Sequence, residues 1–328
     1  MKMEIKLATA TVLVLATITF SVVGSEPRRE QIIVSTTTSL FETGLLDEIK
    51  EEFEKKHPSI NVAFISKGTG LAIMSAVRGD SDMILVHDPE RELKFMQEGY
   101  GVNRKIIAYN FFVIVGPSGD PAKARGIRPV EALKKILQAG EIGKAIWISR
   151  GDDSGTHVKE KRLWRSAGVD PESLRWASWY VEAGSGMCET LKMADEKEAY
   201  TLTDVGSYLN NYLSKNIRLE ILVDSGFETI NIYSAIISNP RRGMISSSKF
   251  NACMEFIRFL TSDDGQKIIG EFGEERFGRP IFNPYMKLRC DGRDDQILEW
   301  IVEAAYFDGY ECPPEYRYME DDLYRTRD

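Results

Sequence analysis

The segment Ser149-Arg150-Gly151-Asp152-Asp153-Ser154-Gly155-Thr156-His157 gathers a fixed cation, small hydroxyls and backbone amides left accessible by glycine. The chemistry these groups share is oxyanion binding. Arg150 carries a guanidinium that stays protonated and can grip two oxygens at once. The preceding Ala145-Ile146-Trp147-Ile148 reads as a buried strand and Val158 to Ala167 as a helix, so the segment joins a strand end to a helix start. A helix N-terminus leaves N–H donors unpaired and carries about half a positive charge, which favours an anion by roughly 0.3–1 kcal/mol. Gly151 and Gly155 let the backbone come close. The same residues also suit an N-capped surface helix in which Arg150 pairs with Asp152 or Asp153.

Three more turns have this character. Ser35-Thr36-Thr37-Thr38-Ser39 follows the first strand and precedes Gly44-Leu45-Leu46; Lys67-Gly68-Thr69-Gly70 follows the second; Thr201-Leu202-Thr203-Asp204 stands before another helix. Each alone fits simple helix capping. Together they point to one place, because in open α/β sheets ligands bind beyond the carboxyl ends of the strands. Asp153, Ser154 and His157 are the residue types of a hydrolytic triad, but a Ser and a His three apart on one turn rarely reach nucleophile geometry. The chain also lacks a G-x-S-x-G elbow, a Walker P-loop and a G-x-G-x-x-G after its first strand. No enzyme is expected, and His157 reads as a capping or supporting donor.

Strand-like runs at 32–35, 61–66, 83–86, 106–115, 145–149 and 176–180 alternate with helical patterns, which makes the class α/β. Leu45, Leu46, Ile49 and Phe53 are spaced as the core face of a helix, as are Leu71, Met74 and Val77, and again Val205, Leu209 and Leu213. Two longer strands, 106–115 and 228–238, are candidates for paired crossings between lobes. That arrangement assigns 25–114 with 228–283 to one lobe and 115–227 to the other. Residues 284–328 form an extension with twelve acidic and six basic residues, in which Ile297, Leu298, Ile301, Val302 and Ala305 mark an amphipathic helix that docks on the body. The end beyond Pro314 reads as loose.

The 328 residues suit two ordinary domains. Lys2 and Lys6 precede an apolar run from Leu7 to Val23, so residues 1–24 read as an export signal or an uncleaved anchor. The formal charge of −8 argues against nucleic acid as a ligand but leaves a buried anion site possible. Cys188, Cys253, Cys290 and Cys312 show no C-x-x-C spacing and the three His are scattered, so no zinc site is expected. In an oxidising compartment Cys290 and Cys312 could bridge within the extension; free buried thiols are the alternative.

Taken together, residues 32–283 resemble the extracytoplasmic tungstate-binding proteins that feed ABC transporters. The resemblance rests on Thr36-Thr37-Thr38-Ser39 with Gly44-Leu45-Leu46-Asp47, Gly68-Thr69-Gly70, Val86-His87-Asp88-Pro89, Glu98 to Val102, Ser149 to His157, and Ala194 to Lys197 with Ala199 to Asp204. It implies a two-lobed type II periplasmic-binding-protein fold, each lobe a sheet flanked by helices, closing on a central oxyanion. It further implies that Thr38, Ser39, Thr69, Arg150, Ser154, Thr156 and Thr203 lie at or near the ligand. Asp152 would hold the Arg150 guanidinium. The expected ligand is tungstate or molybdate, the partner an ABC permease, and there is no cofactor or bound metal cation. The protein would work as an extracytoplasmic monomer that touches the membrane only through its signal or anchor.

Two positions depart from the family pattern: Val205 stands where Arg usually follows T-L-T-D, and Leu71 where Lys or Arg often follows G-T-G. Phosphate is the rival ligand, since R-x-D-x-S-G-T also resembles phosphate-binding proteins. A protonated phosphate needs a carboxylate acceptor, and Asp88 is the candidate. A tethered oxyanion sensor and a hydrolase are the readings from other classes.

Overall fold

A computed structural model describes residues 29–291, 295–319 and 322–324. The expected signal or anchor, 1–24, lies outside the described residues. The strands are β1 (Glu30–Thr37), β2 (Ile60–Lys67), β3 (Met83–Val86), β4 (Gly101–Gly116), β5 (Trp147–Ser149), β6 (Tyr180–Glu182), β7 (Thr201–Asp204), β8 (Glu220–Val223), β9 (Ile230–Ser238) and β10 (Asn283–Pro284). Before the middle of the chain come α1 (Thr38–Glu42), α2 (Leu45–Lys56), α3 (Thr69–Arg78), α4 (Pro89–Gln97), α5 (Pro129–Glu141) and α6 (Gly155–Ser166). Then follow α7 (Pro171–Leu174), α8 (Met187–Glu196), α9 (Val205–Leu213), α10 (Ser247–Thr261), α11 (Asp263–Glu271), α12 (Glu274–Phe277), α13 (Tyr285–Asp291) and α14 (Asp295–Ala305).

β4 organises the molecule. At about 3.3 Å per residue it spans on the order of 50 Å, enough to serve two sheets. Its first part pairs antiparallel with β9, from Gly101↔Ser238 to Phe111↔Ile230, inside the sheet β10-β4-β9-β3-β1-β2. Its last residues pair instead with β7, from Phe112↔Asp204 to Val115↔Thr201, and with β8. The β5–β6 pair continues from there through the Trp147↔Tyr200 bridge. β1, β2 and β3 run parallel, and all four residues of β3 (Met-Ile-Leu-Val) are buried, as a strand covered on both faces requires.

Helices fill both faces. Leu45, Leu46, Ile49 and Phe53 of α2 pack with Ile32, Val34 and Met83 and with Phe256 and Leu260 of α10. In the second sheet Phe112, Ile114, Trp147 and Leu202 meet Leu133 and Ile136 of α5 and Leu163 and Trp164 of α6. The expected core face of α3 is wrong: Leu71 is 64% exposed and Met74 42%, while Ala72, Ser75 and Ala76 face the sheet. Small residues let this helix lie close to β1 and β3, which leaves Leu71 and Met74 outside, while Val77 of the expected face is half-buried. Leu213 is likewise exposed, unlike Val205 and Leu209. The strand expected at 176–180 begins only at Tyr180, because α7 ends in a turn that leaves Trp176 in solvent.

The extension is part of the body. Ile301 and Ala305 of α14 are buried with Tyr285 against Ile106, Ile230 and Ile232. Of the end expected to be loose, the described residues Tyr318 and Tyr324 are fastened to β4: Tyr318 N donates to Asn103 Oδ1 at 2.8 Å, Asn103 Nδ2 donates to Tyr318 O at 2.8 Å, and Tyr324 OH donates to Arg104 O at 2.7 Å. Cys290 and Cys312 do not pair. Cys312 fills an apolar pocket with Ala72, Ile84 and Phe95, 4.0 Å from Met96 Sδ, whereas Cys290 is an exposed free thiol at the end of α13.

Candidate functional site

The strand-end turns meet where the two sheets face each other. β1 ends in Ser35, Thr36 and Thr37; Thr37 caps α1 by accepting from Leu40 N, and Thr38 and Ser39 open that helix half-buried. Ser35 Oγ and Thr36 Oγ1 are buried without a hydrogen-bond partner. Thr69 is the first residue of α3, next to Gly68, which offers no side-chain cap. Its hydroxyl is also buried and unpartnered, an expensive state unless the site supplies an acceptor.

From the other sheet comes α6. Ser154 caps it by accepting from His157 N at 3.3 Å, Gly155 is its first residue, and Thr156 follows, buried. A Cβ on Gly155 would sit 3.1 Å from Thr69 Oγ1 and 3.1 Å from His87 Cε1. Only glycine permits that approach without displacement. The N-termini of α3 and α6 therefore converge from opposite sheets, and their partial positive charges would repel without an anion between them.

Arg150 adds the formal charge, 9% exposed. Its Nε donates to Asp152 Oδ2 at 2.8 Å while Asp152 Oδ1 accepts from Ser154 N at 3.1 Å, so Asp152 ties the guanidinium to the start of α6. This leaves the outer Nη atoms for a ligand. Burial lifts the Glu42 carboxyl above the usual carboxylate range, Asp204 adds to the lift, and Arg150 offsets part of it. The end of α1, β7 and Arg150 thus share one electrostatic neighbourhood. His157 accepts from Asp153 N at its Nδ1, 3.0 Å, which places the ring proton on Nε2; that nitrogen is buried without a partner. With Ser154 occupied as a cap and Nδ1 turned to the backbone, the triad arrangement is not formed.

Two expected positions differ. Thr203 lies inside β7 opposite Val113, and its hydroxyl bonds the Asp204 carbonyl at 3.1 Å, so it does not open a helix. Asp88 caps α4 and is paired with Arg162 of α6 at 3.0 Å and Arg91 at 3.4 Å, so both of its oxygens already face a guanidinium. Arg162 also reaches Glu90 at 2.8 Å, bridging the two sheets. Residues outside the expected set enter instead. Asp204 caps α9 through Ser207 N at 2.8 Å, and its other oxygen is buried and unpartnered. His87 lies beside Thr69 and Gly155; burial depresses its pKa against the pull of Asp88 and Asp204, so the ring is neutral at neutral pH. A histidine at a strand end gives no signal of this kind, because its burial is set by Tyr233 and Phe112 from distant strands.

A model of the PBP superfamily domain matches residues 21–264. The chain is 40% identical over 256 residues to the tungstate-binding protein TupA of Peptoclostridium acidaminophilum, which covers 77% of this chain and 85% of that protein. Among solved structures, the tungstate-binding protein TupA from Desulfovibrio alaskensis aligns with a TM-score of 0.69 at 37% identity, over 78% of this chain and 98% of that one. The tungstate ABC transporter structure from Geobacter sulfurreducens aligns with a TM-score of 0.64 at 43% identity, over 74% and 99%. The two-sheet architecture, the converging helix starts and these relatives agree: the chain belongs to the PBP superfamily, in the family of the tungstate-binding proteins.

Proposed function

We propose that this protein captures tungstate between its two lobes and hands it to the permease of an ABC importer on the outer side of the cell membrane. The observation that carries the reading is the approach of α3 and α6, whose first residues Thr69 and Gly155 meet, with Arg150 tied to the start of α6 through Asp152. Arg150 supplies charge; the hydroxyls of Thr38, Ser39, Thr69, Ser154 and Thr156 and the helix-start amides surround the remaining oxygens. Thr203, in β7, completes the set near the ligand. The lobes are 25–114 with 228–283 and 115–227, and closure expels water, which strengthens each hydrogen bond. Molybdate shares shape and charge with tungstate and binds the same site. Residues 1–24 direct export, and among the described residues no helix is long and apolar enough to cross a membrane.

Phosphate stays as a second reading because of Asp204, whose unpartnered buried oxygen can accept a proton-bearing ligand in the way expected of Asp88. A ligand that binds only the folded state raises Tm by mass action. Melting the protein with tungstate, molybdate, sulfate and phosphate separates the readings. The proposal expects a clear rise with tungstate and molybdate. A rise with phosphate alone would overturn it.

A further inference from the structure

Behind Arg150 lies a buried carboxyl that the binding account does not use. Glu160, in the second turn of α6, is 1% exposed and among the described residues joins no ion pair. Its Oε1 accepts from Trp147 Nε1 at 2.8 Å, Tyr180 OH at 2.8 Å and Trp164 Nε1 at 3.3 Å; its Oε2 accepts from Ser149 Oγ at 2.8 Å. The donors come from β5, β6 and α6. A carboxyl buried without a cation is costly, and an apolar residue would fill the same space more cheaply. Its two oxygens do what an apolar residue cannot: they join one helix to two strands in a single orientation.

The place of that joint gives it a purpose. Ser149 immediately precedes Arg150, and its carbonyl accepts from Ala183 N at 2.8 Å. Gly151, at φ 64°, immediately follows, packed so tightly that a Cβ would lie 2.8 Å from Glu182 Cβ. Arg150 is therefore framed on both sides by backbone whose position depends on the β5–β6 tip. We propose that Glu160 is a positioning residue for the oxyanion site: it locks the tip of β5 to α6, so that the Arg150 guanidinium meets the ligand in one fixed geometry. The proposal rests on Arg150 touching the ligand.

The test is a double-mutant cycle read by tungstate calorimetry, using Glu160→Gln, Arg150→Ala and the double variant, each checked by circular dichroism. Glutamine keeps the volume, and its amide can donate to Ser149 Oγ while its carbonyl still accepts from the other three groups, so the fold tolerates it. What goes is charge assistance, which makes such bonds about twice as strong, so the titrations are run at pH 8, where the carboxyl is ionised. Expected is a weakening of ~3- to 10-fold in the wild-type background and less than about twofold in the Arg150→Ala background, because the effect passes through Arg150. Equal losses in both backgrounds, or no loss in either, overturn the positioning role while leaving the Arg150 reading intact. Unchanged affinity in Arg150→Ala itself is a distinct outcome that brings down both.

Discussion

At the scale of single residues, the Ser149 to His157 segment was legible because its chemistry is local: Arg150, Asp152 and Ser154 lie within five residues and settle each other's hydrogen bonds. Glu160 was not. In the run Val158-Lys159-Glu160-Lys161-Arg162 it looks like one charge of a solvated helix face, and only the folding of Trp147, Trp164 and Tyr180 around it reveals a core acceptor. Burial lifts its pKa from 4.5 to about 7, with Tyr180, Ser149 and the two indoles opposing the lift. The folded state then holds a proton that the unfolded chain releases between these values, so this group's contribution to stability falls as pH rises from about 4.5 to 7. The loss is on the order of 3 kcal/mol at most, by 1.36 kcal/mol per unit. Glu160→Gln lacks this dependence, and thermal melts at pH 5, 6.5 and 8 should show the variant gaining on wild type as pH rises. A constant Tm difference across that range would show that the carboxyl does not titrate there.

At the scale of elements, the order of strands and helices followed from hydrophobic runs, but which face each helix buries did not. α3 shows why: Leu71 and Met74 have helical spacing, yet Ala72, Ser75 and Ala76 decide the packing because they allow the closer approach. The family departure at Leu71 consequently falls on an exposed surface, whereas the one at Val205 falls in the core. Thr203 does not open a helix, since pairing with β4 extends β7 through Asp204 and makes the acid the cap of α9. The meeting of α3 and α6 gives an element-scale prediction. In Gly155→Val a Cβ stands 3.1 Å from Thr69 Oγ1 and His87 Cε1 and carries two methyls besides, so the lobes cannot close on the anion. The substitution removes no core side chain, so circular dichroism should be unchanged while tungstate affinity falls more than about tenfold, as removal of a bound-state geometry implies. Wild-type affinity would show that the helix starts do not meet in the bound form.

At the scale of the whole molecule, the extension is a structural partner of β4. Arg104 and Lys105 are buried cations on this crossing strand; Glu92 pairs with the first at 2.8 Å and Glu311 with the second at 2.8 Å. Ala305 O and Glu311 O accept further bonds from Arg104 Nη1, at 2.9 and 2.7 Å. Composition showed the extension as acidic. It could not show that one of its carboxylates neutralises a lysine more than two hundred residues earlier. Glu311→Ala leaves Lys105 buried without a counter-charge and should cost about 3–5 kcal/mol, read as a large fall in Tm. Tungstate affinity of the folded protein should stay near wild type, because the change lies behind the sheet; a parallel loss of affinity would mean that the extension shapes the cleft.

The central claim is that an oxyanion is held between the lobes by Arg150, and it is tested most directly by titrating tungstate into wild type, Arg150→Ala and Arg150→Lys. The account predicts one site per chain in wild type. It predicts weakening of roughly ten- to hundredfold in Arg150→Ala, the loss of a charge-assisted contact of about 1.5–3 kcal/mol. Arg150→Lys should recover only part, since lysine keeps the charge but not the planar fork held by Asp152. Wild-type affinity in a folded Arg150→Ala protein would contradict the account.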